Sequence, residues 1–198
     1  MTETHTTLAA LIGSRICHDL ISPIGAINNG LELLNMAGVP SGPEIGLIGE
    51  SVGNASARIR FFRVAFGAAG DQMVGPAEVQ SILRDLYGRG RTSVDWKVDY
   101  PVLRIEVRLA FLGILCAETA MAFGGTITVS EHNRGWRLRG EADRILPDGA
   151  LWDLLDQTDP PAQLQPSHVQ FALMPLVARE ARRKIRAEQD GKSVTITF

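Results

Sequence analysis

The sequence has little of what marks several large classes of protein. Its two cysteines, Cys17 and Cys116, show no motif spacing, which argues against a disulfide framework or a cysteine zinc site and for buried, reduced thiols in a cytoplasmic chain. The four histidines, His5, His18, His132 and His168, are scattered without ligand spacing, so no metal site of the chain's own is expected. Twenty lysines and arginines against 22 acids leave a net charge of −2, which argues against a nucleic-acid binder working by bulk electrostatics. Long apolar runs are missing too. Leu109 to Cys116 is far too short to span a bilayer. The polar, threonine-rich start lacks the basic stretch and apolar run of a secretory signal.

What remains is a chain of 198 residues with ample apolar content for one large domain or two small ones. The pattern predicts a helix from about Thr6 to Met36, closed by Gly38, Pro40, Gly42 and Pro43, and a second from Glu44 to Phe66, closed by Gly67, Gly70 and Gly75. Two long helices on a short loop make an antiparallel hairpin. From Pro76 the pattern changes. Helices are predicted over Pro76–Tyr87, Arg104–Phe123, Asp148–Asp156 and Ser167–Arg182, the second of them stopped by Gly124-Gly125. Ser93–Val98 alternates like a strand. Thr126–Ser130 with Trp136–Glu141, and Lys184–Glu188 with Ser193–Phe198, read as hairpins. The fold class is therefore α+β: a helical hairpin over residues 1–72, then an α/β sandwich of helices on one sheet over residues 73–198. Trp96, Trp136 and Trp152 are expected in the core or an interdomain seam.

The most informative stretch is Ser14–Leu34. At 100° per residue, Ile12, Ile16, Leu20, Ile24, Ile27, Leu31 and Leu34 fall in one stripe. His18 lies about 160° from Leu20, on an outer stripe with Ser14, Ser22, Gly25 and Asn29. Asp19 follows His18 directly and is placed to orient the imidazole or take up its proton. Ser22 sits one turn on, within reach of a phosphate oxygen or a water. Pro23 removes the helical hydrogen bond to the carbonyl of Asp19, at a cost of roughly 3 kcal/mol. A hairpin exposing such an apolar stripe is not stable alone. Two copies forming a four-helix bundle would bury it; cover by the second domain is the alternative.

His18-Asp19-Leu20-Ile21-Ser22-Pro23 resembles the phosphoacceptor box of sensor histidine kinases. The longer string from Cys17 through Ile27-Asn28-Asn29-Gly30-Leu31-Glu32-Leu33-Leu34, together with Phe62–Ala68, is similar to the ChpT-type histidine phosphotransferases of alphaproteobacteria. The resemblance implies a dimeric helical bundle carrying the phosphoacceptor, followed by a degenerate relative of the kinase ATP-binding domain. It also implies relay of phosphate from the receiver domain of a hybrid kinase, through His18, to response regulators. Such kinases hold magnesium and phosphates with an asparagine on the helix that here spans Arg104–Phe123, yet no asparagine occurs between Asp99 and His132. Nor is there an Asp-x-Gly-x-Gly between the two hairpins; Asp148-Gly149 leads directly into Ala-Leu-Trp. A phosphate clamp without its metal ligand has no evident means of neutralising the charge on the transferred group.

The expected activity is thus phosphotransfer through phosphohistidine, with Asp19 and Ser22 assisting His18. No cofactor of its own is expected, and magnesium would be supplied by the receiver. Docking is assigned to Ser14, Arg15, Ile21, Gly25, Asn29 and Arg63, with Arg63 either steering phosphate or simply solvated. The basic run Arg179–Arg186 either attracts an acidic receiver face or complements its helix dipole. Two rival readings stay open: an ATP-dependent histidine kinase with drifted nucleotide motifs, and a non-catalytic dimeric adaptor for receiver domains.

Overall fold

The computed structural model describes residues 2–37, 42–68, 70–146, 148–157 and 163–198, with the backbone alone described at 2–12, 14, 15 and 19. They fall into two compact units, 1–68 and 69–198.

The first unit is a helical hairpin of α1 (Thr2–Met36) and α2 (Pro43–Ala65). Pro43 occupies the first helical position after the extended Gly42, where a proline's missing N–H has no helical partner to lose. Of the predicted turn, Gly38 and Pro40 lie outside the described residues. The surface α1 lays against α2 is set by small side chains. A Cβ on Gly13 would sit 3.3 Å from the carbonyl oxygen of Phe66, and one on Gly49 would touch Leu31. Cys17 is buried on this unit, whereas the apolar stripe of the sequence is not: Ile16, Leu20, Ile27 and Leu34 are 54%, 46%, 46% and 43% exposed.

The second unit is one layer of helices on a sheet, and it starts with a short addition. β1 (Met73–Val74) pairs antiparallel with β3 (Val102–Leu103), a two-residue ladder that no periodicity announces. Between them lie α3 (Pro76–Tyr87), as predicted, and β2 (Thr92–Trp96). The main sheet has the order β2-β4-β5-β7-β6, with β4 (Gly125–His132), β5 (Gly135–Glu141), β6 (Arg186–Gln189) and β7 (Ser193–Thr197). β2 and β4 run parallel, joined by a crossover that contains α4 (Arg104–Ala120), and every other pair is antiparallel. Along β5, Trp136, Leu138 and Gly140 are buried while Arg139 and Glu141 face water and pair at 3.1 Å, the alternation of a sheet covered on one side. The cover is α4 with α6 (Val169–Glu180): a Cβ on Gly113 of α4 would meet Leu138, Met174 of α6 and Ile196. All three tryptophans are buried, and Trp96, Trp136 and Phe198 stack in series.

Several boundaries differ from expectation; α1 already starts at Thr2, β2 ends at Trp96 and β6 starts at Arg186. α4 ends at Ala120, not Phe123, because Met121 leaves the helical region and its N–H bonds the Glu118 carbonyl. The glycine pair serves the strand that follows: Gly124 has φ +92°, and a Cβ on Gly125 would lie 2.2 Å from the Glu141 carbonyl, so neither position accepts a side chain. α6 begins at Val169, after a 3-10 turn over Pro166–His168, and the span predicted as one helix from Asp148 is α5 (Gly149–Asp153) continued by a 3-10 turn. In the β6–β7 hairpin, Asp190 makes the turn. Its Oδ1 accepts the N–H groups of Lys192 and Ser193 at 2.8 and 2.7 Å, and its Oδ2 accepts the Ser193 hydroxyl at 2.8 Å. These bonds hold its carboxyl below the usual carboxylate range.

Candidate functional site

His18 stands exposed near the middle of α1, which continues unbroken past Pro23. The proline leaves the Asp19 carbonyl without its helical donor, one residue from the imidazole. Ser22, Pro23 and Asn29 are exposed, Ile21 is 37% exposed, and a Cβ on Gly25 would meet nothing within 4 Å. One flank of α1 beside His18 is therefore open and built of small or polar groups. The side chains of Ser14, Arg15 and Asp19 lie outside the described residues.

Helix α2 contributes to the same turn. The contacts Gly13–Phe66 and Leu31–Gly49 set an antiparallel register that places His18 opposite Phe61 and Phe62, half a turn from the position opposite Arg63 and Val64 that a loop centred on Ser41 implies. Arg63 is exposed on α2, and its charge reaches the Cys17 thiol, the residue before His18. Burial raises the pKa of that thiol and Arg63 lowers it, with burial the larger effect. Gly13 is a contribution the sequence pattern did not single out. Its four-residue spacing from the buried Cys17 is the one signal that the two share the face of α1 against α2. Ser14, Arg15, Ile21, Ser22, Gly25 and Asn29 share α1 with His18, and Arg63 joins them from α2.

The second unit shows what occupies the region where the sequence lacks nucleotide motifs. The middle of α4 is almost wholly buried. Near its end, Glu118 accepts from the Tyr87 hydroxyl at 3.1 Å, and Thr119 Oγ1 accepts from the Gln170 side chain at 3.2 Å. Asp148 caps α5 by accepting the Ala150 N–H at 3.1 Å, so this Asp-Gly is engaged as a helix start. Among the described residues no group of three His, Cys, Asp or Glu side chains is placed to hold a metal ion, and no helix is long and apolar enough to cross a membrane.

Comparison with known proteins agrees with this geometry. Residues 76–193 match the family model of the histidine phosphotransferase C-terminal domain. Over 125 residues, 62% of this chain, the sequence is 39% identical to protein phosphotransferase ChpT of Brucella abortus, and the match spans 59% of that relative's length. The fold is similar to the 1.7 Å structure of a bacterial phosphotransferase, with 29% identity, a TM-score of 0.67, and coverage of 93% of this chain and 91% of that one. With residues 76–193, more than half of its length, matching that family model, the chain belongs to the ChpT-type histidine phosphotransferase family.

Proposed function

We propose that this chain relays a phosphoryl group from the receiver domain of a hybrid histidine kinase, through His18, to the aspartates of response regulators. The observation that carries the reading is the exposed imidazole of His18 on the open flank of α1, one turn before Pro23, in a chain of the histidine phosphotransferase family. In the first step an unprotonated ring nitrogen attacks the phosphorus of the donor's aspartyl phosphate. The N–P bond forms as the acyl P–O bond breaks and the aspartate leaves as carboxylate. In the second step an acceptor carboxylate attacks the phosphohistidine, and the imidazole departs. Asp19 is assigned to fix the tautomer, Ser22 to contact the phosphate oxygens, and Ile21, Gly25, Asn29, Arg63, Ser14 and Arg15 to receive the receiver surface. Magnesium is supplied by the receiver's acidic pocket, and the chain brings no cofactor.

The active form is a homodimer, because the exposed stripe Ile16, Leu20, Ile27 and Leu34 is completed by a second copy into a four-helix bundle. Autophosphorylation from ATP is not part of the reading, since α4 offers no asparagine and Asp148 is spent on a helix cap.

The test is acid-labile phosphate on His18. Label from a prephosphorylated receiver domain, absent in His18→Ala and absent with ATP alone, is the expected result. Label from ATP alone would establish a kinase. Binding of receivers without label from either source would establish an adaptor.

A further inference from the structure

We propose that the second unit carries an oligophosphate-binding cleft at the end of its sheet, built from residues far apart in sequence. The cleft, of about 540 Å³, is lined by six arginines and lysines against one glutamate, Glu188. Its volume falls in the range of small-ligand sites. The β4–β5 turn and the start of β5 contribute Arg134 and Arg137; the connection from α6 to β6 contributes Arg182, Arg183 and Lys184; and β6 begins with Arg186.

The register explains why these charges converge. Thr197 on β7 pairs with Arg137 of β5 on one side and with Arg186 of β6 on the other. Residues in one cross-strand row point to one face, so two guanidinium groups flank a threonine hydroxyl, their backbones about 10 Å apart at two strand spacings. This face is the one opposite Leu138 and Ile196, which are fully buried under the helices. Two of the cations are held in place. Arg137 Nη2 lies 2.6 Å from His132 Nε2, and Arg183 donates to the Arg134 carbonyl at 2.9 Å and pairs with Glu106. Arg134, Arg182, Lys184 and Arg186 are exposed.

A fixed guanidinium, Arg137, and an exposed one, Arg186, with the Thr197 hydroxyl between them, match phosphate oxygens. Charges spread over about 10 Å exceed what one phosphate spans or neutralises, so the matching ligand carries two or more linked phosphates. Of the rings at the cleft, Trp136 and Phe198 are buried, and the half-buried His132 is engaged by Asn133 and Arg137, so no indole or phenyl ring is offered to a base. Recognition therefore rests on the phosphate chain, whether inorganic or attached to a nucleoside. The cleft lies at the hairpin-turn end of β5, about 20 Å of strand from the Glu141 end, where Ala142 and Ile145 bond the backbone of the β6–β7 turn and the chain goes on to the Asp148-Gly149 that stands for the missing nucleotide motif. It is thus distinct from a degenerate ATP pocket.

The test is titration calorimetry of the full chain with sodium tripolyphosphate, ATP and inorganic monophosphate at low salt. Tripolyphosphate should bind at least about tenfold more tightly than monophosphate, and ATP within a few-fold of tripolyphosphate. Lys184→Gln with Arg186→Gln should weaken tripolyphosphate at least about tenfold while leaving the thermal midpoint and the receiver-to-His18 phosphotransfer unchanged. Arg137→Gln, tested separately, should weaken it comparably. Absence of tripolyphosphate binding, or binding undiminished in both folded variants, overturns the proposal. A strong preference for ATP over tripolyphosphate also overturns it, since that requires a site that reads the base. Loss of affinity for an acidic receiver domain without any tripolyphosphate binding assigns the cleft to a protein partner and overturns it equally.

Discussion

Replacing Leu20 with glutamate tests whether the exposed stripe of α1 is an interface between two copies. Ile16, Leu20, Ile27 and Leu34 each keep about half of their surface in water, and full burial of such a side chain contributes about 1.5–3 kcal/mol. Completing the burial therefore yields about 1 kcal/mol per residue, or about 8 kcal/mol for the four residues of each of two protomers. Leu47 and Ile48 of α2, 65% and 48% exposed, increase the total. Association costs about 4–15 kcal/mol in lost freedom, a range that brackets this gain, so the interface has little margin. Leu20→Glu removes the apolar gain twice and buries two carboxylates, a loss of at least about 4 kcal/mol, or roughly a thousandfold in dissociation constant. Sedimentation velocity across a concentration series reads this directly. The wild type should sediment as a dimer and Leu20→Glu as a monomer with unchanged helicity. Ala26→Glu, on the side of α1 turned away from α2, should remain dimeric. A wild type that stays monomeric at tens of micromolar, or a Leu20→Glu that dimerises as before, would refute the reasoning.

Three other outcomes follow from the second unit and the thiols. Gly140→Val should cost about 1–3 kcal/mol and lower the thermal midpoint by roughly 3–9 °C, because its Cβ would lie 2.7 Å from Met121 Sδ and 3.0 Å from Val194 Cγ2; an unchanged melting curve contradicts this packing. The lowered pKa of Asp190 means that its ionised form is the stabilising one. Its contribution is present above the ordinary carboxylate range and lost as pH falls through the lowered folded value, so amide protection factors at Lys192 and Ser193, taken relative to the intrinsic rate at each pH, should fall in acid, and Asp190→Ala should lack that protection at every pH. Burial lifts the Cys116 thiol well above its ordinary value and raises that of Cys17 more modestly. A thiol reagent at pH 8 should therefore leave native Cys116 unlabelled and modify Cys17 more slowly than a free cysteine, with both reacting once the chain is unfolded.

Much of the architecture was legible because it rests on local rules. Pro76 at a helix start and the hairpins over Thr126–Glu141 and Lys184–Phe198 each rest on signals within a few residues, and the structure keeps them. The 100° arithmetic likewise put His18 away from the apolar stripe, a property of one helix alone. What escaped depends on contacts across the chain. The β1–β3 ladder is two residues long and carries no period. Met121-Ala122-Phe123 continues an apolar run after the backbone has left the helix. Gly13 became informative only when α2 lay against it, whereas the burial expected of Cys17 is found. The basic run 179–186 was visible as a linear cluster, but nothing local indicates that the β5–β7–β6 register brings Arg137 to its side.

The position of β7 has a consequence for synthesis. It follows every other described strand in sequence yet lies inside the sheet, between β5 and β6, and Phe198 exchanges backbone hydrogen bonds with Trp136 at 2.7 and 3.1 Å. At ordinary elongation rates, about 3–10 s pass between the emergence of Glu141 and that of Phe198. The helical hairpin, built from near-neighbour contacts, has time to form during that interval. β5 instead waits with one edge unpaired and its apolar face covered by α4 but not yet by α6, and an unpaired edge is where nascent strands pair with the wrong chain. Arg137, Arg139 and Glu141, alternating along that waiting edge, are the charges that keep it apart from other nascent chains until its partner arrives.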